Sequence, residues 1–317
     1  VTVPISTVGR EVASGLSRQP KALPPYLFYD EEGSRLYERI TELPEYYPTR
    51  TERAILAQNA DDIVARASGG AGEELRVVEL GAGTASKTRL VLSAVLSLQG
   101  RCLYMPIDVS ASALDEAAQR LAEELPEVEV RPIVGRHEDA FDAIRALGPR
   151  RLVLFIGSSI GNLSDDEAEA FLRGVHGGLS TGGALLLGTD LRKSPDRLVA
   201  AYDDAAGVTA AFNKNVLTRI NRELGGRFSL DTFRHVALWN EADSRVEMHL
   251  ESTIAQEVRI ESLALTVAFR RGERIHTESS AKYDQARVER MLTRAGFTLE
   301  RTYTDPEALF AVHLARA

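Results

Sequence analysis

Val77 to Thr88 reads VVELGAGTASKT, and two chemistries compete for it. From Gly81 it runs G-x-x-x-x-S-K-T, one residue away from the G-x-x-x-x-G-K-[ST] loop that wraps triphosphates. From Glu79 it runs E-x-G-x-G, an acidic residue leading into a short glycine loop. A triphosphate loop cradles polyanionic oxygens with backbone N–H groups and a lysine. Ser86 stands where that loop needs its second glycine, and Glu79 would oppose phosphate charge. Asp108 closes the next apolar run, LYMPID. An acidic residue there accepts hydrogen bonds from ribose hydroxyls. Two acidic strand ends beside a glycine loop therefore suit adenosine carrying a cation, which is S-adenosylmethionine. Two other readings stay open: a ligand-free strand–helix turn, and a degenerate phosphate loop with LYMPID as its metal-side strand. Lys87 is either close to the methionine carboxylate or a surface residue of the first helical turn.

Other groups have weaker patterns. FIGSSIGNLSDDE (155–167) follows an apolar run, and its glycines let a loop pass close to a ligand. Asn162 in it offers a donor and an acceptor, while Ser164 and Asp165 can equally be helix caps. In HTESSAKY, Glu278 and Ser280 lie two apart, so on a strand they share a face. By pattern alone that face is an exposed edge rather than a grip on a polar heterocycle. His137, Glu138 and Asp139 are adjacent in GRHEDAF, and adjacent residues do not converge on one ion from regular structure. The six histidines are scattered, so no metal is expected.

These residues need a scaffold. Apolar runs at 75–80, 101–107, 128–134, 151–157 and 183–189 alternate with amphipathic stretches such as SASALDEAAQRLAEEL. That alternation predicts right-handed βαβ crossovers and a doubly wound, mostly parallel sheet with its binding crevice at the carboxyl ends of the strands. The tail after 224 is β-rich, with a helix at 284–295 and strands at 298–304 and 309–315. The expected layout is a Rossmann-like domain over 60–195. A second α+β domain, from 1–59 and 196–317, lies over the strand ends.

Composition narrows the class. A net charge of −8 and a pI near 5.4, with no basic run, argue against a nucleic-acid partner. No apolar run is long enough for a membrane span, and Val1 opens a polar, amphipathic segment. Cys102 is the single cysteine, so no intramolecular disulfide forms, and it falls inside a strand as packing. These features fit a cytoplasmic enzyme.

At higher resolution the chain resembles the histidine-specific Nα-methyltransferases of ergothioneine biosynthesis. The resemblance is carried by PPYLFYDEEGS, LPEYYPTRTE, VELGAGTASKTR, GSSIGNL, LLGTDL, AYDDAAGVTAAFNKNVL and VEMHLES, from about residue 20 to past 280. It implies three methyl transfers from S-adenosylmethionine to the α-amine of L-histidine, giving hercynine, by a monomer. It also implies a methyltransferase Rossmann domain with a second domain built from both flanks. Carried over by motif, Tyr46 and Tyr202 hold the substrate carboxylate, and Asn162 orients amine and carboxylate. Tyr29 approaches the amine, Glu278 and Ser280 grip the imidazole, and Phe212 and Met248 line the pocket. Gly81, Lys87 and Asp108 serve the cofactor. Where the family has an Asp-Phe pair at the adenine, this chain has Arg136-His137. The backbone N–H of His137 still serves adenine, but Arg136 has no acceptor for its amino group. Three readings stand beside this one: a methyltransferase for another amino acid, a P-loop-type nucleotide-binding protein, and a catalytically silent cofactor sensor.

Overall fold

The computed structural model describes residues 6–69, 74–135, 141–148, 150–179 and 182–317. Helix α1 (Thr7–Ser17), strand β1 (Lys21–Ala22) and helix α2 (Glu31–Thr41) precede the long helix α3 (Tyr47–Ser68). Next come β2 (Arg76–Leu80), α4 (Thr88–Gln99), β3 (Cys102–Asp108), α5 (Ala111–Glu124), β4 (Val128–Val130), β5 (Ile133–Val134) and α6 (Phe141–Ala146). They lead to β6 (Arg151–Phe155), α7 (Asp165–Gly178) and β7 (Ala184–Asp190). Then follow α8 (Pro195–Ala200), α9 (Val208–Leu224), β8 (Phe233–Asn240), β9 (Arg245–Ser252), β10 (Gln256–Ile260), β11 (Leu265–Phe269) and β12 (Arg274–Ala281). The last elements are α10 (Gln285–Arg294), β13 (Thr298–Thr304) and β14 (Phe310–Arg316).

The chain divides into two compact units, Val1–Tyr47 with Ser194–Ser280, and Pro48–Lys193 with Ala281–Ala317. The second holds an eight-stranded sheet of order β13-β14-β7-β6-β2-β3-β4, with β5 also on β3. β2, β3, β4, β6 and β7 pair in parallel. Strand residues alternate between two cores: Val77, Tyr104, Leu152 and Leu154 pack with α3, α4 and α5, while Val78, Met105, Val153 and Phe155 pack with α7 and α10. A sheet buried on both faces explains why its strands read as unbroken apolar runs. From β2 the chain winds outward to β4, then returns to β6 on β2's other side. β2 and β6 thus flank the switch point, where ligands of such sheets bind. The α/β class is as expected.

The boundaries differ from those expected. Residues 281–317 complete the large sheet instead of joining the flanking unit: β14 runs antiparallel along β7 from Phe310 opposite Asp190 to Arg316 opposite Ala184. The helix and two strands expected there are present, but βαβ alternation carries no sign that an antiparallel hairpin extends the parallel sheet. Residues 48–59 likewise belong with the sheet, because Ile55 and Leu56 of α3 are in its core. The expected strand 128–134 is two short strands, β4 and β5. The other unit contains the sheet β1-β12-β9-β8 and the ribbon β10-β11. β1, β8 and β10 had no clear sequence signal.

Candidate active site

The glycine loop between β2 and α4 carries positive φ at Gly81 (72°), Gly83 (51°) and Ala85 (53°). Gly81 N–H donates to Ile107 O at 2.8 Å, which lays the loop against the end of β3. Asp108, half-buried at that end, accepts from Gly83 N–H and from Ser110 N–H, each at 2.9 Å. Each oxygen takes one backbone donor, and each carboxylate oxygen has two lone-pair sites. The acceptor sites left over therefore fit a ribose diol, whose hydroxyls would donate to them, with Asp108 also fixing the loop. A Cβ on Gly83 would meet nothing within 4 Å, so the backbone there faces open space.

Glu79 corrects the sequence reading. It is 2% exposed, and both its oxygens accept from Thr88 Oγ1 at 2.7 Å. Tyr104 OH also donates to it. It braces the loop from inside rather than facing a cation. Thr88, the hydroxyl a phosphate loop would turn to a metal, is spent on this carboxylate. Burial raises the Glu79 pKa from 4.5 to about 7, against the hydrogen bonds from Tyr104 and Thr88. A raised folded pKa means that its contribution to stability is full below about 4.5 and lost as pH rises through about 7. Urea denaturation of the parent and Glu79→Gln at pH 5 and pH 8 should show the variant gaining relative stability at the higher pH. A pH-independent difference would contradict the buried acid.

Lys87 is not a free surface residue of the first helical turn. Its ammonium pairs with Glu52 of α3, a carboxylate with no solvent exposure. Glu52 also accepts from Gly157 N–H at 2.9 and 3.0 Å, in the loop that follows β6. That loop turns through Gly157 (φ 79°) and Ser158 (φ 60°) into a single helical turn, Ser159–Asn162, which places Asn162. Ser158 Oγ accepts from Asp190 N–H at 2.9 Å, tying the loop to the end of β7. Asp190 in turn pairs with Lys193 at 2.5 Å and with the fully buried Lys282 at 2.8 Å. Arg136 and His137 lie outside the described residues, as does the rest of the histidine-acid run. Among the described residues, no group of three or more His, Cys, Asp or Glu could hold a metal. Cys102 is buried and its thiol is pushed up to about 12 by desolvation, so it is packing.

The other unit gathers aromatic rings. Tyr29 meets Phe212 edge-on at 5.7 Å and Tyr37 at 5.8 Å. Tyr37 reaches Tyr46 at 6.4 Å, and Tyr46 reaches Tyr202 at 6.3 Å. Tyr202 OH donates to Ser280 Oγ at 2.7 Å. Tyr29, Tyr46, Tyr202, Phe212 and Ser280 are thus brought together, with Tyr37 as an unforeseen member. Burial, aided by the neighbouring tyrosines, holds the Tyr46 hydroxyl well above its usual range. It is a donor, not a base. Met248 is buried on β9, where Thr277 Oγ1 bonds its carbonyl at 3.0 Å, and Glu278 is half-buried on β12.

Local chemistry sets these rings. Asp30 caps α2 by accepting from Gly33 N–H at 2.8 Å, and also takes Asn215 at 2.7 Å and Arg222 at 2.6 Å from α9. This pins the LFYD turn, and Tyr29 with it. Gly33 is obligatory: a Cβ there would sit 1.7 Å from Phe28 O. Tyr202 is held by His235, whose Nε2 bonds its carbonyl at 2.8 Å while Nδ1 faces Asn213 Nδ2 at 2.8 Å. Those partners assign the neutral tautomer, with Nε2–H donating. Burial keeps His235 below its usual pKa.

A glycine loop, a ribose-competent carboxylate on the neighbouring strand, and a switch point between β2 and β6 define a nucleoside-binding α/β enzyme. The family model of histidine-specific, SAM-dependent methyltransferases matches residues 8–317, and the chain belongs to that family. It is 45% identical over 306 residues to the histidine N-alpha-methyltransferase of Mycolicibacterium smegmatis, covering 96% of this chain and 94% of the relative. Its identity to the enzyme of the same name from Mycobacterium tuberculosis is 44%, with the same coverage. Ergothioneine biosynthesis protein 1 of Neurospora crassa is 29% identical over 87% of this chain and 31% of that protein.

The cofactor reading has a direct check. Asp108→Ala should weaken S-adenosylmethionine binding by about 1.5–3 kcal/mol, the range for hydrogen bonds to a charged group. Calorimetry on parent and variant measures it. Equal affinities would remove Asp108 from the site.

Proposed function

We propose that this protein transfers three methyl groups from S-adenosylmethionine to the α-amine of L-histidine, giving hercynine for ergothioneine biosynthesis. The near-full-length match to the histidine-specific family carries the reading. The clustering of Tyr29, Tyr37, Tyr46 and Tyr202 supports it. The enzyme is read as a cytoplasmic monomer that needs no metal.

When bound, the sulfonium supplies an electrophilic methyl carbon. A C–N bond forms as the C–S bond breaks, and positive charge passes to nitrogen. The amine must arrive neutral, since an ammonium has no lone pair. Tyr46 and Tyr202 are assigned to the carboxylate, and the protonated state of Tyr46 suits a donor's role there. Asn162 is assigned to the amine and Tyr29 to its proton, through water. Glu278 and Ser280 are assigned to the imidazole. Because Tyr202 OH donates to Ser280 Oγ, the Ser280 proton is directed elsewhere and suits the unprotonated ring nitrogen. Glu278 then accepts from the other. Gly81, Lys87 and Asp108 hold the cofactor, and Phe212 and Met248 give the amino acid apolar walls. Rate enhancement comes from holding nitrogen, carbon and sulfur in line.

Incubating the protein with histidine and S-adenosylmethionine, with mass detection over time, tests the reading. Trimethylhistidine should dominate at long times. Accumulation of the monomethyl product, or methylation of another amino acid in preference, would refute it.

A further inference from the structure

We infer that Glu52 is a positioning residue of the cofactor site: it fixes the Lys87 ammonium at the lip of the glycine loop. The inference rests on the assignment of Lys87 to the cofactor's carboxylate. In sequence, Glu52 is one charged residue among many in the second turn of a long helix. In the structure it is wholly buried, between the loops that leave β2 and β6. The space for its carboxylate is made by glycine. A Cβ on Gly188 of β7 would lie 2.2 Å from Glu52 Oε1 and 3.2 Å from Gly157 N. At Gly157 the positive φ lets the backbone N–H turn toward the carboxylate.

The pair is asymmetric. The Lys87 side chain keeps 16% exposure and Glu52 keeps none, so the pair is sealed on the acidic side and open on the basic side. A buried ion pair is a weak source of stability, because desolvation offsets most of the attraction. Its effect here is on placement. A lysine ammonium is a point charge on a flexible four-carbon stem with three donors. Anchored to a carboxylate that is itself held by Gly157, it occupies one place before any ligand arrives. A ligand carboxylate then meets a pre-set cation and avoids the ordering cost of a free lysine. The same anchor joins the glycine loop to the segment that carries Asn162.

Three ligands distinguish this role from general support of the loop. S-adenosylmethionine and S-adenosylhomocysteine carry the aminocarboxylate tail, and 5′-methylthioadenosine is the same nucleoside without it. In Glu52→Gln, which keeps an oxygen for Gly157 N–H, both tailed ligands should bind ~10-fold more weakly by calorimetry, as for loss of one charge-assisted contact. 5′-Methylthioadenosine should bind as it does to the parent. An equal loss for all three ligands, or none for any, overturns the inference. The cycle with Lys87→Met is the second check. Glu52→Gln/Lys87→Met should bind the tailed ligands no more weakly than Lys87→Met alone, and additive losses would refute coupling. The double variant should also melt higher than Lys87→Met, which leaves a buried carboxylate unpaired. A Lys87→Met protein with parental affinity sinks the assignment of Lys87 itself. Parental Lys87 dependence without a Glu52 effect sinks only the role of Glu52.

Discussion

Glu278→Ala should lose on the order of 10²-fold or more in kcat/KM for histidine, about 3 kcal/mol for a charge-assisted hydrogen bond. The same variant should gain relative activity on phenylalanine or tryptophan. The reasoning is that a site built to hydrogen-bond a polar ring rejects analogues that leave its polar groups unpaired. Phenylalanine would strand Glu278 and Ser280 together. Removing the carboxylate removes most of that penalty and enlarges the pocket. Ser280 remains, 4% exposed and bonded to Tyr202, so some preference for a polar ring should survive. Side-by-side kcat/KM series over the three amino acids provide the measurement. A variant with the parent's preference for histidine would return β12 to the role of a plain strand.

Asp190→Ala should destabilise the fold by about 3–5 kcal/mol, the cost of breaking a buried ion pair from one side. Asp190 is 1% exposed and ends β7. It faces Lys193 at 2.5 Å and Lys282 at 2.8 Å, and Lys282 has no exposure at all. Without the carboxylate, two ammonium groups share the site with no counter-charge from residue 190. The loss should appear as a lower urea midpoint with the slope unchanged. Asp190→Ala/Lys282→Met should recover part of it, since an apolar pair of similar volume is often neutral there. A single variant within about 0.5 kcal/mol of the parent, the usual range for a surface change, would show that the cluster is solvated.

Much of the scaffold was legible from sequence because the sheet is covered on both faces. Such strands are apolar throughout, so their runs at 75–80 and 101–107 coincide with β2 and β3 to within a residue. The glycine loop and Asp108 were legible for a related reason: the backbone path restricts which residues can occupy it. β8 was not legible, since half-buried positions along FRHVALWN give no clean alternation. Glu52 was invisible because a charge on a helix normally marks the solvated face, and only a tertiary contact reveals the opposite. Glu79 misled for the same reason, with its burial set by Thr88 and Tyr104 rather than by its neighbours in sequence. Tyr37 escaped because a single aromatic residue on an amphipathic helix reads as packing. The motif resemblance supplied roles that pattern alone left as bland surface, notably for Glu278 and Ser280.

The interrupted layout of both units also imposes an order of events on a ribosome. Lys21 of β1 pairs with Ile275 of β12, so the first strand waits for its partner until most of the chain is made. At about 5–20 residues per second, that wait is on the order of ten seconds or more. β7 waits too, because β14 covers one of its edges only when residues 310–316 have emerged. In the meantime an apolar strand, ALLLGTD, presents unpaired backbone groups along that side, the kind of edge that recruits other chains. The hairpin of β13 and β14 is therefore what closes this edge, and a nascent chain halted before it would carry a finished parallel core with an adhesive rim.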